Sequence, residues 1–542
     1  MVRRLFVNTA LCFLALAAAL PVAGQAPTLE HPWPMLGRDA QRTARADAVG
    51  PQTPTIAWRL RLDQHQEGQS VVRPTMDRHG RLFCGNYNRF VCVDTFARRI
   101  LWEKDTDASV GAAPAIWQDR VLFTTFSGDV WSVYCVDAAT GETIWRVPGT
   151  GSGASSSPLV REGVLYYLHQ SWNVVARRVS DGGVIWQRPS SVAYFGEVAM
   201  DEEGSILVAT QRSTLLSLRG TDGGTLYEIP LGLWSDFGPH VEDGRAYLDV
   251  QDEVVCVDTR TGQILWRQPE PYTNVRGIAI PDRRTNQIRA HQSWHFVYGI
   301  DRDTGAILWT VDLPASLLRP NPPVDAAGTS FHSRSGATDS VHAVTRDGRH
   351  LWSVDLGENA NGHAIISSDG TLYVVSTNRT LFALRDPHVS ASLTDFSVPQ
   401  GARASGGLLS LSASDDDYFE MNSQAWFLLS EANLSTLELG AHTTKQNPTL
   451  MDIKVEARIN QPVGRISLAF KNWVTGAWET VEVQETRSNE DITYWKTGIP
   501  CRDYVRPDGR IELQIKTIVN APITEATFRT FLDQVDIQIR DI

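Results

Sequence analysis

Between residues 56 and 386 the chain alternates short apolar runs with polar turns, and one arrangement of apolar and polar positions keeps returning. VYCVDAATGETIW (133–145), VVCVDTRTGQILW (254–266) and VYGIDRDTGAILW (297–309) share a single template. It consists of alternating apolar positions, an Asp, two variable residues, Thr-Gly, and a Trp four residues after the Gly. Weaker copies are FVCVDTFARRILW (90–102), VVARRVSDGGVIW (174–186), LLSLRGTDGGTLY (215–227) and, with a turn one residue shorter, SVHAVTRDGRHLW (340–352). Period-2 alternation on both sides of a Gly-bearing turn predicts two antiparallel strands joined tightly. In such a turn the Asp side chain can accept backbone N–H groups, and Gly takes the positive φ that other residues resist.

The aromatic that closes each copy starts an outer strand. Trp102, Trp145, Trp186, Tyr227, Trp266, Trp309 and Trp352 follow one another at 43, 41, 41, 39, 43 and 43 residues. That period suits one four-stranded propeller blade per repeat, with each large ring covering a seam that no blade can bury alone. After Trp352, residues 363–386 supply three strands but no closing Trp. The absent strand is expected from IAWRLRL (56–62), whose Trp58 lies 44 residues before Trp102. Pairing this first strand with the last blade closes a ring of eight and removes exposed edges.

Beyond Pro387 the period stops. TLMDIKVEARI (449–459), GRISLAFKNW (464–473), GAWETVEVQE (476–485), GRIELQIKTI (509–518) and LDQVDIQIRDI (532–542) read as strands separated by Gly, Pro, Asn and Asp turns. The prediction is an all-β chain: an eight-bladed β-propeller closed by an N-terminal strand over 31–387, then a β-sandwich over 388–542.

Composition refines this picture at the N-terminus. Arg3 and Arg4 precede an apolar run from Ala10 to Val22 and the small pair Ala23 and Gly24, which reads as a secretory leader over 1–24. Cys12 sits inside that apolar run behind Leu11, where a lipid-attachment signal needs a small residue. Removing two arginines takes the formal charge from −12 to −14. So acidic a chain argues against nucleic-acid or anionic-lipid binding, which need clustered Lys and Arg. No later stretch is long and apolar enough to span a bilayer, so a periplasmic or secreted, monomeric protein is expected. Five cysteines remain: Cys84, Cys92, Cys135, Cys256 and Cys501. Cys92, Cys135 and Cys256 occupy equivalent points of separate repeats and read as small buried apolar residues. Cys84 and Cys92 flank one predicted hairpin, which leaves a disulfide between them open.

HPWPMLGRDAQRTA (31–44), followed by repeated D-x-x-T-G-x-x-x-W, resembles the start and body of pyrroloquinoline-quinone (PQQ) repeat propellers over about 31–387. The Gly-His and Trp-Asp dipeptides of the other large propeller class are missing at matching positions. The resemblance implies two kinds of function. One is a non-catalytic scaffold, since similar propellers assist outer-membrane assembly. The other is a PQQ-dependent oxidoreductase acting on alcohols or sugars, in which the quinone rests over a bound calcium beside a carboxylate base and against a ring of two adjacent, disulfide-bonded cysteines. This chain has no adjacent cysteine pair and no Glu, Asn and Asp set that aligns with the calcium ligands. The expectation is therefore binding of a protein or glycan partner, with no cofactor, and with PQQ and calcium as the alternative.

Hydrolytic chemistry finds no support. G-x-S-x-G and HExxH are missing, Ser155, Ser156 and Ser157 lie where other repeats carry unrelated residues, and His169 and His291 recur in two HQSW tetrapeptides, which suits a structural role. If the propeller binds a ligand, its central funnel is the natural place. Aligned inner strands put Arg73, Ser156, Glu197 and His363 at similar depth, with Arg276 close by, a mixed ring suited to a polar or anionic ligand or to a water-filled channel. In the C-terminal region Trp473 and Trp478 flank a turn, as a sugar-stacking platform or, more commonly, as cross-hairpin packing. Asp415, Asp416, Asp417 and Glu420 offer hard oxygen ligands for calcium but lack the spacing of a known calcium loop, so a solvated acidic turn is favoured.

Overall fold

A computed structural model describes residues 31–62, 73–127, 130–150, 156–169, 173–189, 194–210, 212–232, 235, 238–270, 277–292, 296–313, 321–334, 340–360, 363–412, 417–425, 432–445, 448–461, 463–487, 492–520 and 528–540. The leader lies outside them. The described residues up to 387 form seven four-stranded antiparallel sheets and one three-stranded sheet, the repeated units of an all-β propeller. The first six sheets are consecutive in sequence, spanning 75–105, 115–150, 159–189, 194–230, 240–269 and 277–312. The seventh comprises Ser330–Ser333, Val341–Val344 and His350–Val354, with Val324 bridging Ser330 where an inner strand would lie. The eighth joins Ile365–Ile366, Leu372–Val375 and Thr380–Arg385 to Thr55–Arg61, with Trp58 opposite Ala383.

Burial follows from this stacking. Middle strands such as Arg89–Asp94 are buried on both faces, whereas outer strands such as Arg99–Asp105 alternate exposed and half-buried positions. Neighbouring sheets share their cores. Phe90 and Phe123 stack 3.9 Å apart between the first and second sheets. One cluster joins Val91 of the first sheet to Phe382 of the eighth, Phe331 of the seventh and Ile280 of the sixth.

The repeat template is a device spanning two sheets. The Trp102 indole N–H donates to Ala138 O in the following sheet (3.2 Å), Trp145 to Val179 O (2.8 Å), Trp186 to Gly220 O (2.8 Å), Trp266 to Arg302 O (3.1 Å) and Trp309 to Arg346 O (2.9 Å). Trp352 donates to Pro51 O at 2.9 Å. A turn glycine of the following sheet sits on the first five of these rings: a β-carbon on Gly141, whose φ is +73°, would stand 2.6 Å from Trp102. Gly262 makes the same approach to Tyr227 at 2.8 Å. In the turns after Asp94, Asp137, Asp258 and Asp301 the Asp caps the chain, as Asp137 does for the N–H groups of Ala139 and Thr140, each at 2.9 Å.

All five cysteines beyond the leader are buried, and none forms a disulfide. Cys84 and Cys92 do not pair, because Cys84 is opposite Val91 and Cys92 opposite Phe83, and they enter cores on opposite faces of the sheet. Burial pushes the Cys84 thiol up to about 12.

From 388 onward two six-stranded antiparallel sheets enclose one core. One runs Ala402–Ser405, Phe419–Asn422, Arg529–Arg540, Leu450–Ile459, Ile492–Pro500, with His388–Ser390 also on Arg529–Arg540. The other runs Ser392–Gln400, Ala432–His442, Arg510–Asn520, Val463–Lys471, Trp478–Arg487, with Gln424–Ala425 on Ala432–His442. A buried ion cluster fixes this region to the eighth propeller sheet. Asp452 accepts from Arg540 Nη2 (2.9 Å), Arg385 Nη2 (2.7 Å) and the Gly498 N–H (2.8 Å), and Asp369 lies 3.4 Å from Arg385.

Candidate functional site

The innermost strand of a propeller sheet has one edge facing the axis, and its N–H and C=O groups there need partners. Here the chain supplies them itself. Trp33 exchanges two main-chain bonds with Met76 in the first sheet, at 3.2 and 2.8 Å. Pro34 O then accepts Ile116 N–H, Ala40 O accepts Met200 N–H, and Gln41 O accepts Val241 N–H, in the second, fourth and fifth sheets. Ala44 O and the Ala46 N–H close on Val324 in the seventh. Arg284 reaches Ala46 O from the sixth (2.8 Å), and Asp386 caps the N–H groups of Gln52 and Thr53 after the eighth. Residues 33–46 therefore line the inner-strand edges near the C-terminal ends of those strands, and the chain then runs outward, past the Trp352 indole at Pro51, to the outer strand Thr55–Arg61.

Arg42 links this segment to the axial residues. It is fully buried, and its guanidinium donates to Leu36 O (2.6 Å), Val198 O (3.0 Å) and Ser157 O (3.0 Å). Burial lowers its pKa to about 10, while Glu197 and Asp39 favour the charged form. The kink that turns Arg42 back requires Gly37, with φ +62°, whose added β-carbon would meet the Arg42 backbone at 2.9 Å.

On the opposite side of this segment, at the N-terminal ends of the inner strands, three of the funnel residues converge. Arg73 precedes the first sheet, Glu197 lies in the fourth, and they form an ion pair of 2.8 Å. Ser157 completes the cluster: its N–H and hydroxyl donate to Glu197 at 2.6 and 3.1 Å, and its hydroxyl accepts Ala113 N–H at 3.0 Å. Gly238 packs so closely on the Glu197 backbone that no side chain fits there. His363 is buried before the eighth sheet; burial first and Arg73 second hold its pKa well below the usual value, so it is neutral. Arg276 lies outside the described residues. Ser156 turns away, exchanging bonds with Leu168 inside its own sheet (2.7 and 3.3 Å), so the axial serine is Ser157. The sequence alignment put Ser156 at this depth, whereas the structure places its neighbour Ser157 on Glu197, and nothing in the sequence marked Arg42.

The remaining candidates sit elsewhere. His169 meets Trp131 edge-on at 4.4 Å, and His291 meets His332 at 5.5 Å, both between adjacent sheets. Trp473 donates to Tyr504 O (3.0 Å) beneath Arg506, whereas Trp478 carries Lys471 at 5.2 Å, so each ring has its own cation. Asp417 accepts from Ser410 (3.1 Å) and Glu420 pairs with Arg529 (3.4 Å). Asp415 and Asp416 lie outside the described residues.

Among the described residues no three His, Cys, Asp or Glu side chains are placed to hold a metal ion. Glu197 is engaged by Arg73 and Ser157, and Asp325 by the N–H groups of Gly50, Ala327 and Thr329. The chain has no adjacent cysteine pair. No helix among the described residues is long and apolar enough to cross a membrane.

The family model described as "Outer membrane protein assembly factor BamB" matches residues 42–194, 190–316 and 295–387. No curated protein matches the chain. Among solved structures, a europium-containing methanol dehydrogenase is 14% identical over 64% of this chain and 90% of its own, with a TM-score of 0.52. The quinohemoprotein alcohol dehydrogenase of Comamonas testosteroni is 12% identical over 65% and 80%, also at 0.52. BamB of Moraxella catarrhalis is 16% identical over 61% and 100%, at 0.49.

Proposed function

This chain belongs to the family of the outer membrane protein assembly factor BamB, and from that premise we propose that it is an exported, non-catalytic binding or scaffolding protein. In this reading 31–387 is a closed, eight-bladed wheel, 388–542 a separate sandwich, and residues 1–24 a cleaved leader. The protein works outside the cytoplasm as a monomer, with connecting loops that contact a protein or glycan partner. The observation that carries the reading is the N-terminal segment inside the ring. It satisfies inner-strand edges with the chain's own backbone, while Arg73 and Glu197 neutralise each other. A rigid scaffold needs those properties; a redox site needs free carboxylates and open cofactor space. Fold alone decides nothing here, since dehydrogenases share it.

Two measurements on the full chain, one in the exporting cell and one on purified protein, test the proposal. Photo-cross-linkers placed in the loops that enter the inner strands should capture a specific partner in the exporting cell. The chain incubated with PQQ and calcium should keep no quinone absorbance after gel filtration and should reduce no dye with alcohols or sugars. Retained quinone with turnover would replace this reading by the oxidoreductase.

A further inference from the structure

The outer edge of the eighth sheet carries a more specific inference, which rests on the binding role proposed above. Every propeller sheet ends in an outer strand whose free edge could pair with another chain, and folded proteins guard such edges with proline or charge. Three residues after the seam aromatic, the second to fifth sheets place Pro148, Pro189, Pro230 and Pro269, all exposed. The residues that follow, Leu231 and Glu270, donate inward to Ser213 O and Asp252 O, so the nitrogens of Pro230 and Pro269 face outward and offer an incoming strand no N–H. At the same point the first, sixth and seventh sheets place exposed Asp105, Asp312 and Asp355, whose carboxylates repel an approaching carbonyl. The eighth sheet departs from both patterns, because the position holds Arg61. Its outer strand Thr55–Arg61 pairs only with Thr380–Arg385. Leu62 N–H donates inward to Arg379 O at 2.9 Å, so the N–H groups of Arg61 and, two residues earlier, Arg59 point off the edge. Both side chains are exposed on one face, with half-buried Trp58 and Leu60 on the other, and Arg59 has no ion pair among the described residues.

We propose that Thr55–Arg61 is a docking edge for an extended segment of another protein, in which acidic residues alternate with aliphatic ones and which adds to the eighth sheet as a further strand. Main-chain bonds to the outward N–H groups supply affinity. Carboxylates opposite Arg59 and Arg61, and aliphatic side chains beside Trp58 and Leu60, supply selection. The same charge decides against a second copy of this chain, since self-pairing would bring four arginines onto two adjacent strands.

The test presents the purified full chain with two synthetic heptapeptides, one alternating valine with glutamate and one alternating valine with lysine, and reads fluorescence anisotropy and amide hydrogen exchange. Arg61→Pro installs the residue that four other sheets carry at this register; it removes one outward N–H and leaves the inward bond of Leu62 in place. Arg59→Glu reverses one charge. Thermal unfolding of both variants checks that they are folded. Saturable binding of the glutamate peptide is expected, about tenfold tighter than the lysine peptide and about tenfold weaker in either variant, with slowed exchange over Thr55–Arg61. No saturable binding at millimolar concentration overturns the proposal. Equal affinity for the two peptides, undiminished binding in Arg61→Pro, or slowed exchange on the outer strands of other sheets does so equally. A concentration-dependent dimer that Arg61→Pro abolishes would give the edge to a second copy and also overturn it. Failure here with partner capture retained removes only the edge site; peptide binding retained with no partner captured in the cell removes the scaffold.

Discussion

Arg42 lies in the N-terminal segment and Ser157 at the entrance to the third propeller sheet, yet Arg42 Nη2 donates to the Ser157 carbonyl across 3.0 Å. The same Ser157 holds Glu197 through its N–H and hydroxyl. A segment 115 residues away in sequence thus supports the axial ion pair from beneath.

Replacing Arg42 by Met keeps the length and removes the charge, leaving the carbonyls of Leu36, Ser157 and Val198 without their donor. Losing one partner of a buried charged network costs about 3–5 kcal/mol. A loss of that size is expected in urea unfolding, together with a weaker Arg73–Glu197 pair. A loss below about 1 kcal/mol, the size of an ordinary surface change, would show that the segment does not brace the ring.

Two glycines separate the turn from the seam. Gly141 and Gly163 have nearly the same φ, +73° and +75°, but only Gly141 faces a neighbour, the Trp102 ring at 2.6 Å, whereas Gly163 has open space. Alanine at either position meets the left-handed backbone penalty of roughly 1–2 kcal/mol. Gly141→Ala adds overpacking of about 1–3 kcal/mol. Equal melting temperatures for the two variants would remove the seam from the explanation of the repeat.

Stability should fall with acid through buried histidines. Burial drives His240 down to about 3 and holds His332 and His363 well below 6.5. The unfolded chain takes these protons near pH 6.5 and the native chain does not, so stability falls as pH drops below 6.5, for His240 until about pH 3. His240 faces Arg42, His291 and Asn321. His240→Gln should lessen the slope between pH 6 and pH 4 by about 1.4 kcal/mol per pH unit, read from urea midpoints across that range. An unchanged slope would mean that His240 is protonated in the folded chain.

The division at residue 387 can be tested at Asp452. Asp452→Asn leaves Arg385 and Arg540 without their shared carboxylate, at a cost of about 3–5 kcal/mol. The contact with the eighth sheet should loosen, and limited proteolysis should cut between Asp386 and Ser392 into two stable fragments. Cleavage scattered through both halves would argue for one cooperative unit instead.

The repeats were legible in the sequence because each carries its own signal: apolar alternation, a capping Asp, a Gly at positive φ and an aromatic at a steady interval. The spacing of Trp58 was enough to assign Thr55–Arg61 to the strand position beside Thr380–Arg385. Aligned repeats also put Arg73 and Glu197 at similar depth along their inner strands, and the two form an ion pair.

Only the tertiary structure decided the rest. Residues 31–53 follow no period, and most of their links are main-chain bonds to distant strands; such bonds leave no mark on which side chains are chosen. For the same reason Arg42 read as an ordinary arginine, and the alignment chose Ser156 where the structure has Ser157. Local pattern determines which strands form, while partners brought together across the ring determine what occupies its centre.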